Sequence, residues 1–401
     1  MANTRTASWL PFIIVALSLA AGAMGTGLAS PLYPLYEQAW RIPHSTTTVI
    51  FVVYMVGVLA AFLCLGRLSN HIGPVIVLRA ALVIVLLGLG ASAVADGVVT
   101  LSIGRTLIGI ASGMITTAGT TGLLQIEPGG PRRAPLVASM TTMAGFGAGP
   151  LVAGLVAQFA PAPLVTPYLV VIVAIAIILV GLCFVRTARP ARVGARLSLL
   201  PKLGFPHAGA RPGFLVASFS TFSAFALFSL LAALAPSFLG ALLPWHGPAV
   251  SGTAIGAVLL CSALVQLPAR RLPPRRCLPI ALCVMTTGVL LLAAAMETGG
   301  PVLFIVAIVT IGVGHGLIFM SGLVVINTVA RQEHHAGILA TFLSIAYLGT
   351  IAPILGVGYL ADHVGLASAV VVFCLAFAAF GLLLFAFART ALDPERLAQT
   401  E

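Results

Sequence analysis

Residues 186–211 read RTARPARVGARLSLLPKLGFPHAGAR, and this stretch decides how the chain is organised. Six of its residues are basic (Arg186, Arg189, Arg192, Arg196, Lys202 and Arg211), in a chain of 401 residues of which only 7% are charged. On either side lie long apolar runs, and 60% of the whole sequence is hydrophobic. Soluble domains carry about 25% charged residues, so the composition excludes an ordinary globular enzyme. Disorder is excluded by the same figures, because disordered chains are poor in hydrophobic residues and rich in charge. An apolar solvent must surround most of this protein, and that solvent is a bilayer.

A membrane-crossing helix needs roughly 20 apolar residues. Marking Pro, Gly and charge as punctuation predicts twelve spans, at 9–35, 46–65, 74–95, 98–124, 136–160 and 164–185 before the basic stretch, then 212–238, 249–267, 277–296, 301–329, 337–361 and 366–388 after it. The expected architecture is all-α: an N-terminal six-helix bundle over 1–185, a linker over 186–211, a second bundle over 212–388 and a tail over 389–401. The first run is too long for a signal peptide and lacks a small-residue cleavage site, so it is read as a retained helix.

Lys and Arg flank membrane helices on the cytoplasmic side. Numbering the loops alternately puts eighteen of the twenty basic residues on one side, including the whole 186–211 linker, and Arg41 alone on the other. Both termini and the linker are therefore expected in the cytoplasm, across a cell's inner membrane. The net charge of +11 is a product of topology and gives no reason to expect a nucleic-acid partner. The six cysteines form no CxxC pair and lie in or beside apolar runs, which points to packing and to neither a metal site nor a disulfide framework.

The two halves repeat. Ile108-Gly109-x-x-x-Gly113-x-Ile115 in the fourth span matches Ile311-Gly312-x-x-x-Gly316-x-Ile318 in the tenth, an offset of 203 positions. Pro150 in the fifth span meets Pro353 in the eleventh at the same offset. Parallel six-helix repeats are one construction of alternating-access transporters, with the substrate site near the midplane.

Between the second and third spans the chain reads Gly66-Arg67-Leu68-Ser69-Asn70-His71-Ile72-Gly73-Pro74. This resembles a signature of the major facilitator superfamily, Gly-x-Leu-small-Asp-Arg-x-Gly followed by basic residues. Gly66, Leu68 and Gly73 match, while Asn70 stands for the Asp, His71 for the Arg and Pro74 for a basic residue. The resemblance implies a latch between the halves, here without the Asp charge; Glu127 is a candidate to supply a negative charge instead. Arg105-x-x-x-Gly109-x-x-x-Gly113 is similar to the family's second motif, an intramembrane Arg followed by glycines. Gly145-x-x-x-Gly149-Pro150-x-x-Ala153-Gly154 resembles its antiporter motif. Together they resemble the twelve-helix drug/proton antiporters of that superfamily, which implies proton-coupled efflux of the multidrug-resistance kind. Glycines four apart also let helices approach closely, and the Pro removes a backbone hydrogen bond, so plain packing accounts for these glycines almost as well as a hinge.

Ionisable groups inside a span are unfavourable and mark function by default. Two qualify. Arg105 lies roughly 10 Å into the fourth span, at 1.5 Å per residue, and His315 lies close to the middle of the tenth. The offset maps His315 onto Ser112, which returns to the face of Arg105 after two helical turns. Arg105 is a permanent positive charge; its structural alternative is to snorkel onto backbone carbonyls. His315 is able to exchange a proton near neutral pH; its structural alternative is a neutral ring bonded to a hydroxyl of a neighbouring helix. All nine carboxylates fall in loops, tails or helix ends, so neutral or anionic substrates are expected in preference to organic cations. Thr26 and Ser30 in the first span, Tyr54 in the second, Phe222 and Phe225 in the seventh and Tyr347 in the eleventh complete the expected pathway.

No P-loop or catalytic constellation is present, so neither an enzyme nor a cofactor is indicated and an ion gradient is the expected energy source. The sequence thus predicts a monomeric exporter of a small, fairly apolar compound in exchange for protons. An uptake symporter or facilitator for a sugar or organic acid is the alternative within transport. A non-transporting receptor calls for a large extramembrane domain, which the span count leaves no room for.

Overall fold

A computed structural model of the chain describes residues 9–66, 68–128, 133–185, 203–329 and 335–392. The side chains of Asn70, Ala241, His335 and Ala336 lie outside that description, as do most of the 186–211 linker and the end of the tail. The described residues are helical with no strand, and twelve helices are long and apolar enough to cross a membrane. The spans expected from the sequence are all present, with one instructive difference. The first continues to Trp40, past the expected end at 35. After α1 (Trp9–Gly27) the chain makes a 3-10 turn at Ser30–Leu32 and re-enters a helix, α2 (Tyr33–Trp40). Pro34 stands in the first turn of α2, where its missing N–H interrupts no bond.

The chain folds as two compact units. One comprises residues 1–32 and 53–201, and the other comprises residues 33–52 and 202–401. The first unit holds α1, most of α3 (His44–Leu65), the short α4 (Leu68–Ile72), α5 (Pro74–Ala93), α6 (Val98–Ile126), α7 (Ala134–Phe159) and α8 (Thr166–Cys183), with α1 packed on α5, α6, α7 and α8. The second holds α9 (Arg211–Leu242), α10 (Pro248–Ala269), α11 (Pro274–Thr298), α12 (Pro301–Val329), α13 (His335–Val364) and α14 (Leu366–Ala391), with α2 and the first residues of α3. Proline marks the first turn of α5, α7, α8, α9, α10 and α11. Its fixed φ suits that position and its absent N–H costs nothing there. At Gly73, before Pro74, φ is +94°, a conformation that favours glycine.

Bilayer lipid supplies no hydrophobic drive between helices, so their faces meet through small residues. In the first unit a Cβ at Gly109 of α6 would strike the Tyr54 carbonyl of α3, and one at Gly113 would lie 2.9 Å from the Val58 carbonyl. In the second unit Gly312 of α12 meets the Val258 carbonyl of α10 at 2.7 Å, and Gly316 abuts the Ser262 carbonyl. The glycines are related by the 203 offset and their partners by 204, a register one residue away, so the repeat seen in the sequence is close to a repeat of helix contacts. Gly145 and Gly149 of α7 press on the carbonyls of Ala20 and Met24 in α1, while Pro150 packs on Gly27. Gly154 is buried on the same helix. In the second unit Gly349 of α13 presses on the Phe222 carbonyl of α9, and Pro353 lies inside the same helix.

Two charged side chains serve helix ends in the first unit. Arg79 donates to the carbonyls of Leu182 (3.0 Å), Cys183 (3.2 Å) and Val185 (2.6 Å), which have no helical partner at the end of α8. Glu127 accepts the backbone N–H groups of Arg133 and Ala134 at 2.7 and 2.8 Å and so fastens the start of α7.

Candidate functional site

In the first unit four of the expected residues come together. Arg105 on α6 is buried, with 1% of its surface exposed. Its Nη1 donates to the Thr26 carbonyl at 2.6 Å, and its guanidinium carbon stands 4.5 Å from the centre of the Tyr54 ring. Thr26 is the penultimate residue of α1. Its carbonyl is one of those a helix end leaves unpaired, and the negative end of the helix dipole favours a cation there. The Tyr54 hydroxyl points to Ser112 Oγ across a long 3.4 Å. The Thr26 hydroxyl turns back to Ala23 O at 2.6 Å. Ser30 is buried in the turn after α1 and takes no described part in this set.

Arg105 therefore meets a backbone carbonyl, as the structural alternative requires, but its charge is far from satisfied. A guanidinium carries five N–H donors. One is bonded to Thr26, and the buried Nε has no partner. Among the described residues the only ion pair joins His44 and Glu37, so no carboxylate neutralises Arg105.

In the second unit His315 on α12 is buried at 3% exposure, and its Nδ1 lies 2.9 Å from Ser262 Oγ on α10. Phe225 of α9 stacks on the imidazole at 5.8 Å and 13°, and Phe319 stacks on it at 6.5 Å and 17°. Phe228 lies at 6.1 Å. Tyr347 of α13 meets Phe225 edge-on at 5.5 Å. Phe222 does not join them; it packs against Phe377 and Phe380 of α14. The sequence reading lacked Ser262, Phe228 and Phe319. Phe228 follows Phe225 by three residues and Phe319 follows His315 by four, spacings that share a helix face. Ser262 carries no such signal.

The gating motif between α3 and α5 is described in part. Gly66 closes α3, and Gly73 makes the positive-φ turn into α5. The Asn70 side chain lies outside the described residues. Glu127 is committed to the start of α7 through two backbone amides.

Glu37 differs most from expectation. The sequence places it beyond the first span, but it stands on α2 with its carboxyl 13% exposed and held by three side chains. Oε1 accepts from Thr47 Oγ1 at 2.9 Å and lies 3.0 Å from His44 Nδ1, and Oε2 accepts from Ser237 Oγ of α9 at 3.1 Å. The interruption at Pro31 and Pro34 hid this helix. The three-residue spacing of Tyr33, Tyr36 and Glu37 with Trp40 is the signal that would have found it.

Twelve apolar helices, a duplicated helix packing and an isolated buried charge define a membrane transporter built from two six-span halves. The chain belongs to the Major Facilitator Superfamily, whose family model matches residues 15–353. It is a multi-pass membrane protein whose family moves small molecules. Among curated proteins none matches the chain. Among solved structures 305 chains match, one being a mutant of the nucleoside transporter NupG. That structure is 13% identical, has a TM-score of 0.73 and covers 96% of this chain and 100% of its own. At that identity the likeness speaks for the fold alone.

Proposed function

We propose that the protein is a secondary active exporter working by alternating access. It carries a small, fairly apolar, neutral or anionic compound out of the cell across the inner membrane in exchange for protons. It acts as a monomer with both termini in the cytoplasm. The observation that carries this reading is the environment of Arg105. A buried guanidinium with one described hydrogen bond, an aromatic face and no carboxylate among the described residues has donors left for an acceptor that those residues do not supply. A carbonyl, carboxylate or similar oxygen on a substrate satisfies them, and charge-assisted bonds of this kind contribute about 1.5–3 kcal/mol. An organic cation gains nothing there and meets a like charge.

Tyr54 offers a flat ring beside the same charge, and Thr26 and Ser112 offer small polar surfaces. In the second unit the ring stack around His315 provides an apolar wall with one polar edge. The likeness of Gly145–Gly154 to the antiporter motif supports export over uptake. Gly109, Gly113, Gly145, Gly149 and Pro150, with Pro353 in the other half, supply the close crossings and broken backbone bonds that rocking helices use.

The test is growth of an efflux-deficient bacterium, with and without the protein, across neutral, anionic and cationic inhibitors. The expected outcome is resistance to neutral or anionic compounds that Arg105→Ala abolishes. Resistance confined to permanent dications overturns the substrate preference, and no resistance at all with the protein verified in the membrane overturns export and favours uptake.

A further inference from the structure

The turn between α10 and α11 reads Arg270-Arg271-Leu272-Pro273-Pro274-Arg275-Arg276, two pairs of arginines around a Leu-Pro-Pro centre. All four arginines are exposed, and so is Leu272. Under the 203 offset the turn corresponds to residues 67–73 of the first unit, where Arg67 is the only arginine. Membrane topology asks for positive charge at a loop and makes no distinction between Lys and Arg. One arginine serves the first unit at this place; the second unit carries an excess.

That excess has no counterpart in the fold. The described carboxylates of the second unit are Glu37, Glu297 and Asp362. Glu297 and Asp362 stand at the ends of α11 and α13 opposite to this turn, and Glu37 is bound to Ser237 near the far end of α9. No ion pair among the described residues engages the four arginines. The other exposed arginines at the same end have partners. Arg211 Nε donates to the Pro206 carbonyl at 3.5 Å, and the Arg389 guanidinium carbon lies 5.7 Å from the centre of the Phe385 ring.

α11 carries the charged turn on into an uncharged track. Arg276, Ile280, Cys283, Thr287 and Leu290 are all exposed along it, at steps of four, three, four and three residues. Such steps stay on one face of a helix. The stripe therefore runs from a guanidinium down about 20 Å of helix at 1.5 Å per residue, with no second charge on it. On a membrane-crossing helix an exposed face of this kind meets lipid. Pro273 and Pro274 fix their own φ and stiffen the turn that presents the arginine pairs.

We propose that the turn 270–276 and the stripe below it bind an anionic phospholipid, with the phosphodiester headgroup on the arginines and an acyl chain along α11. A guanidinium grips two oxygens of one phosphate through parallel N–H bonds, which a lysine ammonium does not reproduce. The stripe selects a lipid over a soluble anion, because free phosphate leaves Ile280 and Leu290 uncovered. Binding of this kind requires neither a direction of transport nor a particular cargo.

The experiment uses the full-length protein in vesicles with Trp9→Phe, Trp40→Phe, Trp245→Phe and Cys283→Trp, so that the one indole stands on the stripe. Lipid brominated on its acyl chains quenches an indole that it touches, and mixtures with plain lipid give the preference of the site for one headgroup. Phosphatidylglycerol is expected to be preferred over phosphatidylcholine about tenfold, since clustered arginines at a membrane surface attract anionic lipid. Arg270→Gln, Arg271→Gln, Arg275→Gln and Arg276→Gln together are expected to bring the preference to about one. Arg276→Gln alone, too small a change to disturb insertion, is expected to lower it about threefold. The same four positions changed to Lys keep the charge and the topology, and the preference is expected to fall to about threefold as the paired bonds are lost. Inorganic phosphate, compared with chloride at equal ionic strength, is expected to leave the preference of the parent unchanged. Equal quenching by both lipids in the parent, or a preference untouched by the Gln changes, overturns the proposal. Full preference in the Lys variant overturns recognition by arginine and leaves the turn a topology signal. Loss of preference in phosphate overturns the lipid and assigns the turn to a soluble anion.

Discussion

The two units use the same helix contacts and fill them differently. In the first, α1 carries Gly22 and Gly25 where α9 of the second carries Phe225 and Phe228. Gly22 lies against the Ile115 side chain, whereas Phe225 stacks on His315. α6 carries Arg105 and Ser112 where α12 carries Ile308 and His315. The first unit therefore has a fixed charge under a thin, glycine-lined helix, and the second has a neutral-capable ring packed among phenylalanines. The lesson is that duplication preserved the backbone crossings, which small residues enforce, and left the side chains between them free to diverge into separate tasks.

The sharpest way to break this comparison is to exchange each polar group for a shape-matched substitute. Arg105→Gln is expected to lower transport about 100-fold, the scale of a lost charge-assisted bond of about 1.5–3 kcal/mol. His315→Phe extends the ring stack and loses only the Ser262 hydrogen bond, so a loss of about 3- to 10-fold is expected. Export rates in inverted vesicles measure both. Thermal unfolding separates function from folding. A charged side chain deep in a bilayer costs about 2.5–3.5 kcal/mol on insertion scales. Arg105→Met is therefore expected to unfold at the same temperature as the parent or higher, while transporting nothing. Equal losses of transport in Arg105→Gln and His315→Phe would erase the distinction between the units.

The shared backbone crossings are tested next. A Cβ at Gly109 meets the Tyr54 carbonyl, and one at Gly312 meets the Val258 carbonyl at 2.7 Å. Overpacking of this kind costs about 1–3 kcal/mol. Gly109→Ala and Gly312→Ala are expected to lower the unfolding midpoint by similar amounts, read in detergent by intrinsic fluorescence. A large effect from one and none from the other would mean that the repeat is one of sequence only.

What the sequence made legible follows from how strongly bilayer physics constrains each residue. Spans are legible because every backbone group in lipid must be paired within its own helix, so crossing segments are long and apolar. Arg105 is legible because a charge at that depth demands an explanation, and Ser112 follows from it by helical geometry. Thr26 and Tyr54 were expected in the pathway and do meet Arg105, though the contact through the Thr26 carbonyl is a backbone matter that no side-chain pattern encodes. Ser262 was illegible for the opposite reason: a serine inside a span costs little, so nothing flags it until His315 is seen beside it. Phe222 was drawn in by its spacing from Phe225, but three residues turn a helix by about 300° at 3.6 residues per turn. That rotation points it at α14. Glu37 was lost because two prolines broke the apolar run, and the chain resumed its helix after them.

The smallest expected effect sharpens the comparison furthest, because it concerns a feature that the second unit lacks. Tyr54 corresponds by the offset to Ala257, so the aromatic face beside Arg105 has no counterpart there. The Tyr54 hydroxyl reaches Ser112 at 3.4 Å, longer than a sound O–H···O bond, while the ring lies 4.5 Å from the guanidinium carbon. Tyr54→Phe is thus expected to change the apparent affinity for a neutral or anionic substrate by no more than about 3-fold. Tyr54→Leu, which removes the π face, forfeits about 0.5–2 kcal/mol of cation–π attraction and is expected to weaken affinity by about 3- to 30-fold. The concentration dependence of export measures both. A large effect of Tyr54→Phe would assign the work to the hydroxyl and Ser112 and demote the ring to packing. The ordering Leu over Phe makes the ring the element that holds Arg105 in place for its substrate.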